Sequence, residues 1–453
     1  MRDGLVMLMT LGCCLAALRR PAYGTLAFVA YSILAPQGFT YSFALTFPHS
    51  LAISVCTVIG FLFNAGRKSI PIHRETILLA VVWLWFCFST TFAVEQNLAV
   101  EKLLLISKIL FMVFLSMAVL NSKEQVHNLA RMIALPIGLL AVRGLFFFVR
   151  MGGSEMVEGP AEGILFANNS IGLAMAMNVP LLVYLLRTET DKWFLWLVKG
   201  MLVASYPAVI GTFSRGAWFA LGAVTVLLVL RSKHRFLMVG VGVITLMMGA
   251  SFFPFFASER LTERVGTFQE IEKENSAQQR FGSWKFCALV GLENPIFGAG
   301  IDYYSLKMYE TYSPEYAERW DLKRWGGKAW SCHSMWFTIL GEHGLLAFLA
   351  WVGLLASCML SLGRLKRYGL TIQECAWLVP WADTLRISFV GYVVAGTFLD
   401  FAYFDVYYQL VAAVIILKYL ARQQLAKTPI QGKQTDQGGM AGLSGPELVS
   451  AQG

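Results

Sequence analysis

Long apolar segments separated by short polar loops fill most of the chain. A helix needs roughly 20 apolar residues to cross a lipid core about 30 Å thick, because lipid cannot hydrogen-bond with an open backbone. Twelve segments meet this requirement, near residues 22–38, 48–64, 76–94, 101–120, 128–148, 164–186, 193–210, 214–231, 236–256, 335–361, 385–403 and 406–421. The pattern predicts an all-α, polytopic membrane protein with about 12 transmembrane helices.

A further apolar run, Gly4–Leu18, is shorter than a comfortable span. It fits a half-inserted helix, a signal-like segment or a true first helix, which would be a thirteenth, short N-terminal one.

The composition agrees with a membrane protein. Of the 453 residues, 57% are hydrophobic and 14% are charged, whereas a soluble protein carries roughly 25% charge. This excludes a disordered chain and an ordinary cytosolic enzyme. The eight cysteines form no C-x-x-C pair, and the chain has no H-E-x-x-H, P-loop or G-x-G-x-x-G motif. Disulfide scaffolds, zinc proteases and nucleotide motors are therefore not expected.

The basic residues indicate the orientation. Alternate short loops and the C-terminal tail hold 17 Lys and Arg residues, and the intervening short loops hold two. Lys and Arg stay on the cytoplasmic side, so the basic loops and the tail are predicted to be cytoplasmic. The net charge of +9 is then mostly a topology signal, and no nucleic-acid partner is expected.

One polar insertion, residues 257–332, interrupts the spans on the outer side. It holds ten basic and eleven acidic residues, and loops of this length are usually functional or disordered. Its aromatic residues indicate a folded segment, namely Trp284, Phe286, Tyr303, Tyr304, Tyr312, Trp320, Trp325 and Trp330. The predicted division is membrane helices at 1–256, the folded periplasmic loop at 257–332, further membrane helices at 333–421, and a disordered cytoplasmic tail at 422–453.

Three outer-side residues suggest a reaction centre. Arg215 lies at the turn between two spans, Arg280 begins an amphipathic stretch of the insertion, and His333 lies where the insertion re-enters the membrane. Taken singly, each of the three residues has a purely structural explanation that is at least as good as a functional one. Together, two arginines could neutralise a phosphate-bearing leaving group while the histidine accepts a proton from an attacking hydroxyl. No D-x-D motif is present, so neither a metal nor a cofactor is expected.

Other charges and thiols allow two interpretations. Lys108 and Arg143 lie inside spans and could support a phosphate site, although internal pairing or snorkelling is the stronger explanation. Asp400 falls within the predicted span 385–403. Cys287 and Cys332 both lie on the outer side and could pair, but free buried thiols are favoured.

The chain resembles the O-antigen ligase and polymerase superfamily of membrane glycan transferases over roughly residues 160–362. The resemblance rests on the order of Ser214-Arg215-Gly216-Ala217-Trp218, Arg280-Phe281-Gly282-Ser283-Trp284, Asn294-Pro295-Ile296-Phe297-Gly298-Ala299-Gly300, and His333-Ser334 followed by Gly344. Phe337 stands where the ligases have leucine. Asn168-Asn169 is similar to the family's Asn-rich helix entry.

The first 50 residues resemble the O-glycosylation ligases associated with exosortase systems, at Met1-Arg2-Asp3, Leu18-Arg19-Arg20-Pro21-Ala22-Tyr23-Gly24 and Phe47-Pro48. The resemblance implies a metal-independent enzyme of the bacterial inner membrane. It would move a glycan from undecaprenyl pyrophosphate to a protein or lipid hydroxyl on the periplasmic side. Arg215 and Arg280 would hold the pyrophosphate, and His333 would assist the hydroxyl.

Two alternatives remain open. A polymerase of the same superfamily joins one lipid-linked repeat to another, and the motifs do not separate it from a ligase. A secondary transporter also has about 12 spans, but its ionic site usually lies near the membrane midplane.

Overall fold

A computed structural model of the chain describes residues 2–64, 69–232, 275–319 and 330–427, and every regular element in these ranges is helical. The α-helices are α1 (Arg2–Arg19), α2 (Pro21–Leu34), α3 (Phe43–Thr46), α4 (His49–Phe63), α5 (Arg74–Thr91), α6 (Gln96–Val119), α7 (Lys123–Arg150), α8 (Asn168–Thr188), α9 (Lys192–Gly211), α10 (Arg215–Leu230), α11 (Asn275–Glu293), α12 (Leu306–Tyr312), α13 (Pro314–Arg319), α14 (Met335–Thr371), α15 (Leu378–Gly396) and α16 (Asp405–Lys427). The predicted span at 236–256, Trp320, Trp325 and the tail beyond Lys427 lie outside the described residues.

The all-α prediction is confirmed for the described part of the chain. Six of its helices are long and apolar enough to cross a membrane, namely α6, α7, α8, α9, α14 and α15. Three shorter apolar helices, α2, α4 and α10, accompany them. The total of about 12 spans stays a prediction. Residues 422–427, which we assigned to the tail, continue α16.

The N-terminal run forms a full-length helix of the bundle. α1 packs against α2 and α4. At its start, the Asp3 carboxylate accepts the backbone N–H groups of Ser42 and Ala44, at 3.1 and 3.3 Å. At its end, Asn64 Nδ2 donates to the carbonyl of Leu18 at 3.1 Å. α1 is not among the six helices that are long and apolar enough to cross a membrane, and the three descriptions of Gly4–Leu18 stay predictions.

The predicted span at 385–403 is misplaced. α15 starts at Leu378, because Leu378 and Trp381 are buried, and it ends at Gly396. The chain then runs through a non-helical connection, residues 397–404, which Tyr392 supports by donating its hydroxyl to the carbonyl of Phe401 at 2.7 Å. Asp400 therefore lies in this non-helical connection, from which its carboxylate reaches the neighbouring elements.

The described part of the insertion packs around its own small core. The core contains Phe286, Cys287, Val290, Ala299, Tyr303, Met308, Tyr309, Ala317 and Cys332. The expectation of free thiols is wrong, because Cys287 and Cys332 form a disulfide with their Cα atoms 6.0 Å apart. The reason is tertiary: α11 packs along α14, which begins three residues after Cys332 and so brings the two cysteines together.

Several basic side chains make polar contacts at one end of the bundle, which we name the basic end. There Arg74 Nε donates to Ser357 Oγ at 2.7 Å, and Asp383 pairs with Arg231 at 3.2 Å and with Lys366 at 2.8 Å. Asp383 therefore joins α10, α14 and α15 at this end. Arg215, Arg280 and His333 all lie toward the opposite end, which we name the site end.

Candidate active site

Arg215 is the first residue of α10, and the four residues beside it build the turn that presents it. Ser214 caps the helix by accepting the N–H of Ala217 at 3.4 Å. Trp218 Nε1 donates to the carbonyls of Val209 and Ile210, which end α9. Gly216 lies against Leu399, where a Cβ atom would come 3.1 Å from Cγ. The motif around Arg215 thus fixes the α9–α10 turn and places it beside the 397–404 connection.

Arg280 lies in the second turn of α11. One turn further along, the Trp284 ring stacks on Phe337 at 5.6 Å and contacts Phe398 at 6.2 Å. Phe398 also contacts Phe219 of α10 at 5.8 Å. The helix that carries Arg280 therefore packs against both α14 and the same 397–404 connection that borders Arg215.

His333 adopts a left-handed backbone conformation, with φ of 48°. This costs a residue with a side chain about 1–2 kcal/mol, so the neighbours must hold it. Cys332 on one side is locked by the disulfide, and on the other side the Ser334 carbonyl accepts the N–H of Thr338 at 2.9 Å in the first turn of α14. His333 is thus fixed between a covalent crosslink and a helix start.

Asp400 joins this group from a part of the chain that sequence reasoning placed inside a helix. Thr338 donates its hydroxyl to the Asp400 carboxylate, and Ser331 hydrogen-bonds with it as well. Burial raises the pKa of Asp400, and the positive charge of Lys102 acts against that shift. A carboxylate, two hydroxyl groups and His333 are therefore collected at the start of α14.

Arg280 and Asp400 lie close enough to His333 for their charges to act on it. Burial lowers the pKa of His333 below its ordinary value, the Asp400 charge opposes that shift, and Arg280 adds to it. A neutral imidazole can accept a proton, whereas a charged one cannot. The surroundings thus favour the form of His333 that acts as a base.

Lys102 is a cation that sequence reasoning missed. Its Nζ lies 4.0 Å from Asp302 Oδ2, and it acts electrostatically on Asp400. Its side chain is 55% exposed, which leaves it accessible to a ligand. The available signal was its place near the outer end of a predicted span, where a charge is either an anchor or part of a site.

The turn at Asn294–Gly300 fits into a break in α14. Gly344 has φ of 79°, which interrupts the helix. The turn replaces the interrupted helical bonds, since Ala299 and Gly300 donate their N–H groups to the carbonyls of Gly341 and Glu342 at 2.9 Å each. In return, Pro295 accepts the N–H of Leu345 at 2.8 Å. Two motifs that are 50 residues apart in sequence are thus one structural unit.

A buried polar chain runs from this break toward α5 and the 397–404 connection. Glu342 accepts the N–H of Asp302 at 3.1 Å and the hydroxyl of Tyr304 at 3.0 Å, and it also bonds to the Tyr403 hydroxyl. His343 shares hydrogen bonds with Tyr403, at 2.6 Å, and with Ser89. The sequence alone assigned no role to Glu342 or His343. Their hydrogen bonds link α14 to α5 and to the 397–404 connection.

Asn168 and Arg143 support loops at the site end. Asn168 Nδ2 donates to the carbonyl of Thr212 at 2.8 Å, three residues before Arg215. Arg143 donates to the carbonyl of Glu158 at 3.4 Å, and its guanidinium lies 5.2 Å from the centre of the Phe39 ring. Asn168 therefore borders the Arg215 turn, whereas the contacts of Arg143 are with the 36–39 turn and the loop 151–167.

Lys108 lines a separate cavity of about 420 Å³ between α2, α4 and α6. The walls are mostly apolar, with Phe28, Val55 and Phe111 among them, and the mouth includes Gln37 and Glu162. Lys102 and Lys108 are six residues apart on α6, which separates them by about 9 Å along the axis and turns them to different faces. Of these two lysines, Lys102 is the one whose charge acts on Asp400.

The arrangement can hold an anion beside a base. Arg280 and Lys102 supply positive charge near His333 and Asp400, and Arg215 lies on the helix that borders the same connection. Within the ranges that the structure describes, no group of three or more His, Cys, Asp and Glu side chains could hold a metal ion.

Comparisons with known proteins divide the chain into two matched parts. Residues 1–190 match a family of unknown function, DUF5935. Residues 200–352 match the O-antigen ligase family, within the region where the sequence resembles that superfamily. No curated protein matches the chain. The long apolar helices and this match describe a multi-pass membrane protein. The chain contains an O-antigen ligase domain over residues 200–352, which supports its place in the superfamily of membrane glycan-processing proteins.

Proposed function

We propose that the protein is a metal-independent glycosyltransferase that moves a glycan from undecaprenyl pyrophosphate to a hydroxyl group of a protein or lipid. The proposal places the protein in the bacterial inner membrane with the site end facing the periplasm. The proposal is supported by the match of residues 200–352 to the O-antigen ligase family and by the charges of Arg280 and Asp400, which lie close enough to His333 to act on it.

The proposed reaction is a displacement at the anomeric carbon. The acceptor oxygen forms a bond to that carbon, the bond to the pyrophosphate oxygen breaks, and the pyrophosphate leaves with the electron pair. His333 takes the proton of the acceptor hydroxyl. Arg215 and Arg280 stabilise the growing negative charge, which preorganised donors do best in a partly dry site. Asp400 orients the imidazole, and Lys102 adds positive charge.

The remaining candidate residues have outlying roles in this proposal. Lys108 would contact the lipid carrier in its apolar cavity. Arg143 would shape the entrance, because the 36–39 turn and the loop 151–167 that it contacts also line the cavity at Gln37 and Glu162. Asn168 would hold the turn that presents Arg215.

The test compares His333→Ala and Arg280→Lys with Lys285→Gln, an exposed position on the same helix as Arg280. Glycan transfer is measured per molecule of protein in the membrane. We expect His333→Ala to lose activity. We also expect Arg280→Lys to lose it, because an ammonium group cannot reproduce bidentate contacts with phosphate. Lys285→Gln should stay active. Wild-type transfer by a stable His333→Ala variant would exclude the proposed role.

A repeat-unit polymerase of the same superfamily is the second candidate, and the ligase domain favours it equally. The support for the exosortase-associated branch is the sequence resemblance at Met1-Arg2-Asp3, Leu18–Gly24 and Phe47-Pro48. Incubation of the purified protein with lipid-linked repeats alone separates the two activities, because only a polymerase lengthens the glycan without another acceptor. A transporter would move the lipid-linked glycan without joining it to anything.

A further inference from the structure

We propose that the Cys287–Cys332 disulfide is a positioning element of the reaction centre, which sets the register between Arg280 and His333 and makes activity depend on thiol oxidation. The inference rests on the proposed function, because its test measures glycan transfer. It goes beyond the proposed function by naming the disulfide as the element that holds Arg280 and His333 in register.

The first step is the spacing on α11. Arg280 and Cys287 are seven residues apart, which is two helical turns, so both side chains leave the helix on the same face. Their Cα atoms are separated by about 10 Å along the axis. The face of α11 that carries Arg280 is therefore the face that is covalently tied to Cys332.

The second step is the position of Cys332 next to His333. The disulfide fixes the residue that immediately precedes a histidine with a left-handed backbone. Such a conformation persists only where the surroundings enforce it. On the other side of His333 the chain enters α14 directly. The crosslink is thus the constraint that joins His333 to α11, while α14 holds it from the opposite direction.

The third step is what surrounds the sulfur atoms. Both cysteines are fully buried, in the small core of the insertion. The hydroxyl of Tyr304 lies 3.4 Å from Cys332 Sγ and also donates to Glu342 at 3.0 Å. Tyr309 of the same core donates to the carbonyl of Trp330, two residues before Cys332. The disulfide therefore lies where the packing of the insertion meets the chain that leads to His333.

Formation of the crosslink is a two-electron oxidation. The two thiols lose two protons and two electrons as the S–S bond forms. A thiol oxidase on the outer side of the membrane accepts them through its own disulfide, which is reduced to a dithiol. An enzyme with this requirement becomes active only after export of the insertion and oxidation. The other six cysteines are free thiols, namely Cys13, Cys14, Cys56, Cys87, Cys358 and Cys375.

The first measurement is the state of the thiols. Whole cells are denatured in the presence of a maleimide that adds mass to each free thiol, with and without prior reduction. We expect two more labels per molecule after reduction, located at Cys287 and Cys332. Labelling of both residues without reduction would overturn the proposal.

The second measurement separates positioning from stability. The double variant Cys287→Ala/Cys332→Ala is compared with Cys358→Ala, which removes a buried free thiol from α14. Turnover per folded molecule is measured well below the melting temperature. We expect a loss of roughly 10- to 100-fold in the double variant, the size produced by small misplacements of catalytic groups. We also expect the acid limb of its pH profile to move to higher pH, because Arg280 acts less strongly on His333. A purely structural crosslink would lower the amount of folded protein and leave both readouts unchanged.

The controls distinguish this inference from the proposed function. If His333→Ala is inactive and the double variant turns over like wild type, the positioning role is refuted and the proposed function stands. If His333→Ala is fully active, the proposed function fails instead. Should the double variant not accumulate, wild-type protein made in cells without the thiol oxidase provides the reduced form. Its turnover should rise at least tenfold when the protein is reoxidised, and an unchanged turnover refutes the inference.

Discussion

Replacement of Gly344 by alanine tests the junction between the broken helix and the Asn294–Gly300 turn. A Cβ atom on Gly344 would lie 2.6 Å from the Pro295 carbonyl oxygen and 2.9 Å from that of Asn294. Both contacts are with backbone atoms, which cannot rotate away. The φ of 79° adds conformational strain for a residue with a side chain. The substitution therefore has to move the turn or the helix.

The expected magnitude has two parts. Gly344 has φ of 79° and ψ of −179°, a region that is essentially confined to glycine and costs alanine about 1–3 kcal/mol, and forced overpacking costs about 1–3 kcal/mol. The sum is a destabilisation of about 2–6 kcal/mol. Displacement of the turn would also weaken the hydrogen bonds of Ala299 and Gly300, each with a net value of about 1 kcal/mol.

Gly353→Ala is the matched control, because Gly353 lies in the same helix and no other heavy atom comes within 4 Å of an added Cβ. There alanine is favoured over glycine by about 1 kcal/mol, so the two substitutions should have opposite signs. The assay is the melting temperature of the purified protein in lipid nanodiscs, combined with glycan transfer per molecule. If Gly344→Ala melts at or above the temperature of Gly353→Ala, the proposed interlock between the turn and the break is wrong.

Three further predictions concern the site end. If neutral His333 is the base, as proposed, activity should fall as the pH drops through its pKa. Arg280→Gln removes a charge that lowers this pKa and should move the acid limb of the residual kcat/KM to higher pH, whereas Asp400→Asn should move it to lower pH. Coincident profiles for the two variants would contradict the shared environment. Asn168→Ala removes the hydrogen bond to the Thr212 carbonyl and should cost about 1 kcal/mol of stability. It should also lower glycan transfer, because the Arg215 turn is held less firmly. Unchanged hydrogen exchange at residues 212–215 would contradict this role of Asn168. Glu315→Gln removes an exposed ion pair with Lys285 and should leave the melting temperature and transfer unchanged, so a loss of transfer there would point to a role for the pair that we do not assign.

The parts of the fold that the sequence predicts well are those controlled by local hydrophobicity. Apolar runs locate both ends of α9 to within one residue, both ends of α6 and α7 to within five, and the start of α14, because a continuous apolar stretch has few alternatives to a helix in lipid. The end of α14 lies ten residues beyond the predicted run. The span at 385–403 is displaced for a related reason. Its apolar connection at 397–404 is buried by packing, and hydropathy alone does not separate a buried connection from a helix.

Contacts between distant segments could not be read from the sequence in the same way. The motifs around Arg215, Arg280 and His333 indicated a common side of the membrane, but not that Phe398 would contact both α10 and α11. The disulfide was judged less probable than free thiols because sequence gives no distance between two cysteines. Lys102 carries no local motif, and its relation to Asp400 depends on the packing of α6 beside the 397–404 connection.

The candidate site is assembled from three stretches of the chain that the comparisons treat differently. Arg215, Arg280 and His333 lie in the O-antigen ligase domain, and Lys102 lies in the N-terminal part of unknown function. Asp400 lies beyond both. The buried polar chain crosses the same boundaries, since Ser89, His343 and Tyr403 belong to the three stretches in turn. A ligase domain separated from its neighbours would therefore keep both arginines and the histidine, while losing the carboxylate and the lysine that complete their electrostatic environment. In the proposed reaction centre the N-terminal region would therefore have a functional part, because Lys102 would supply charge and Ser89 would support His343.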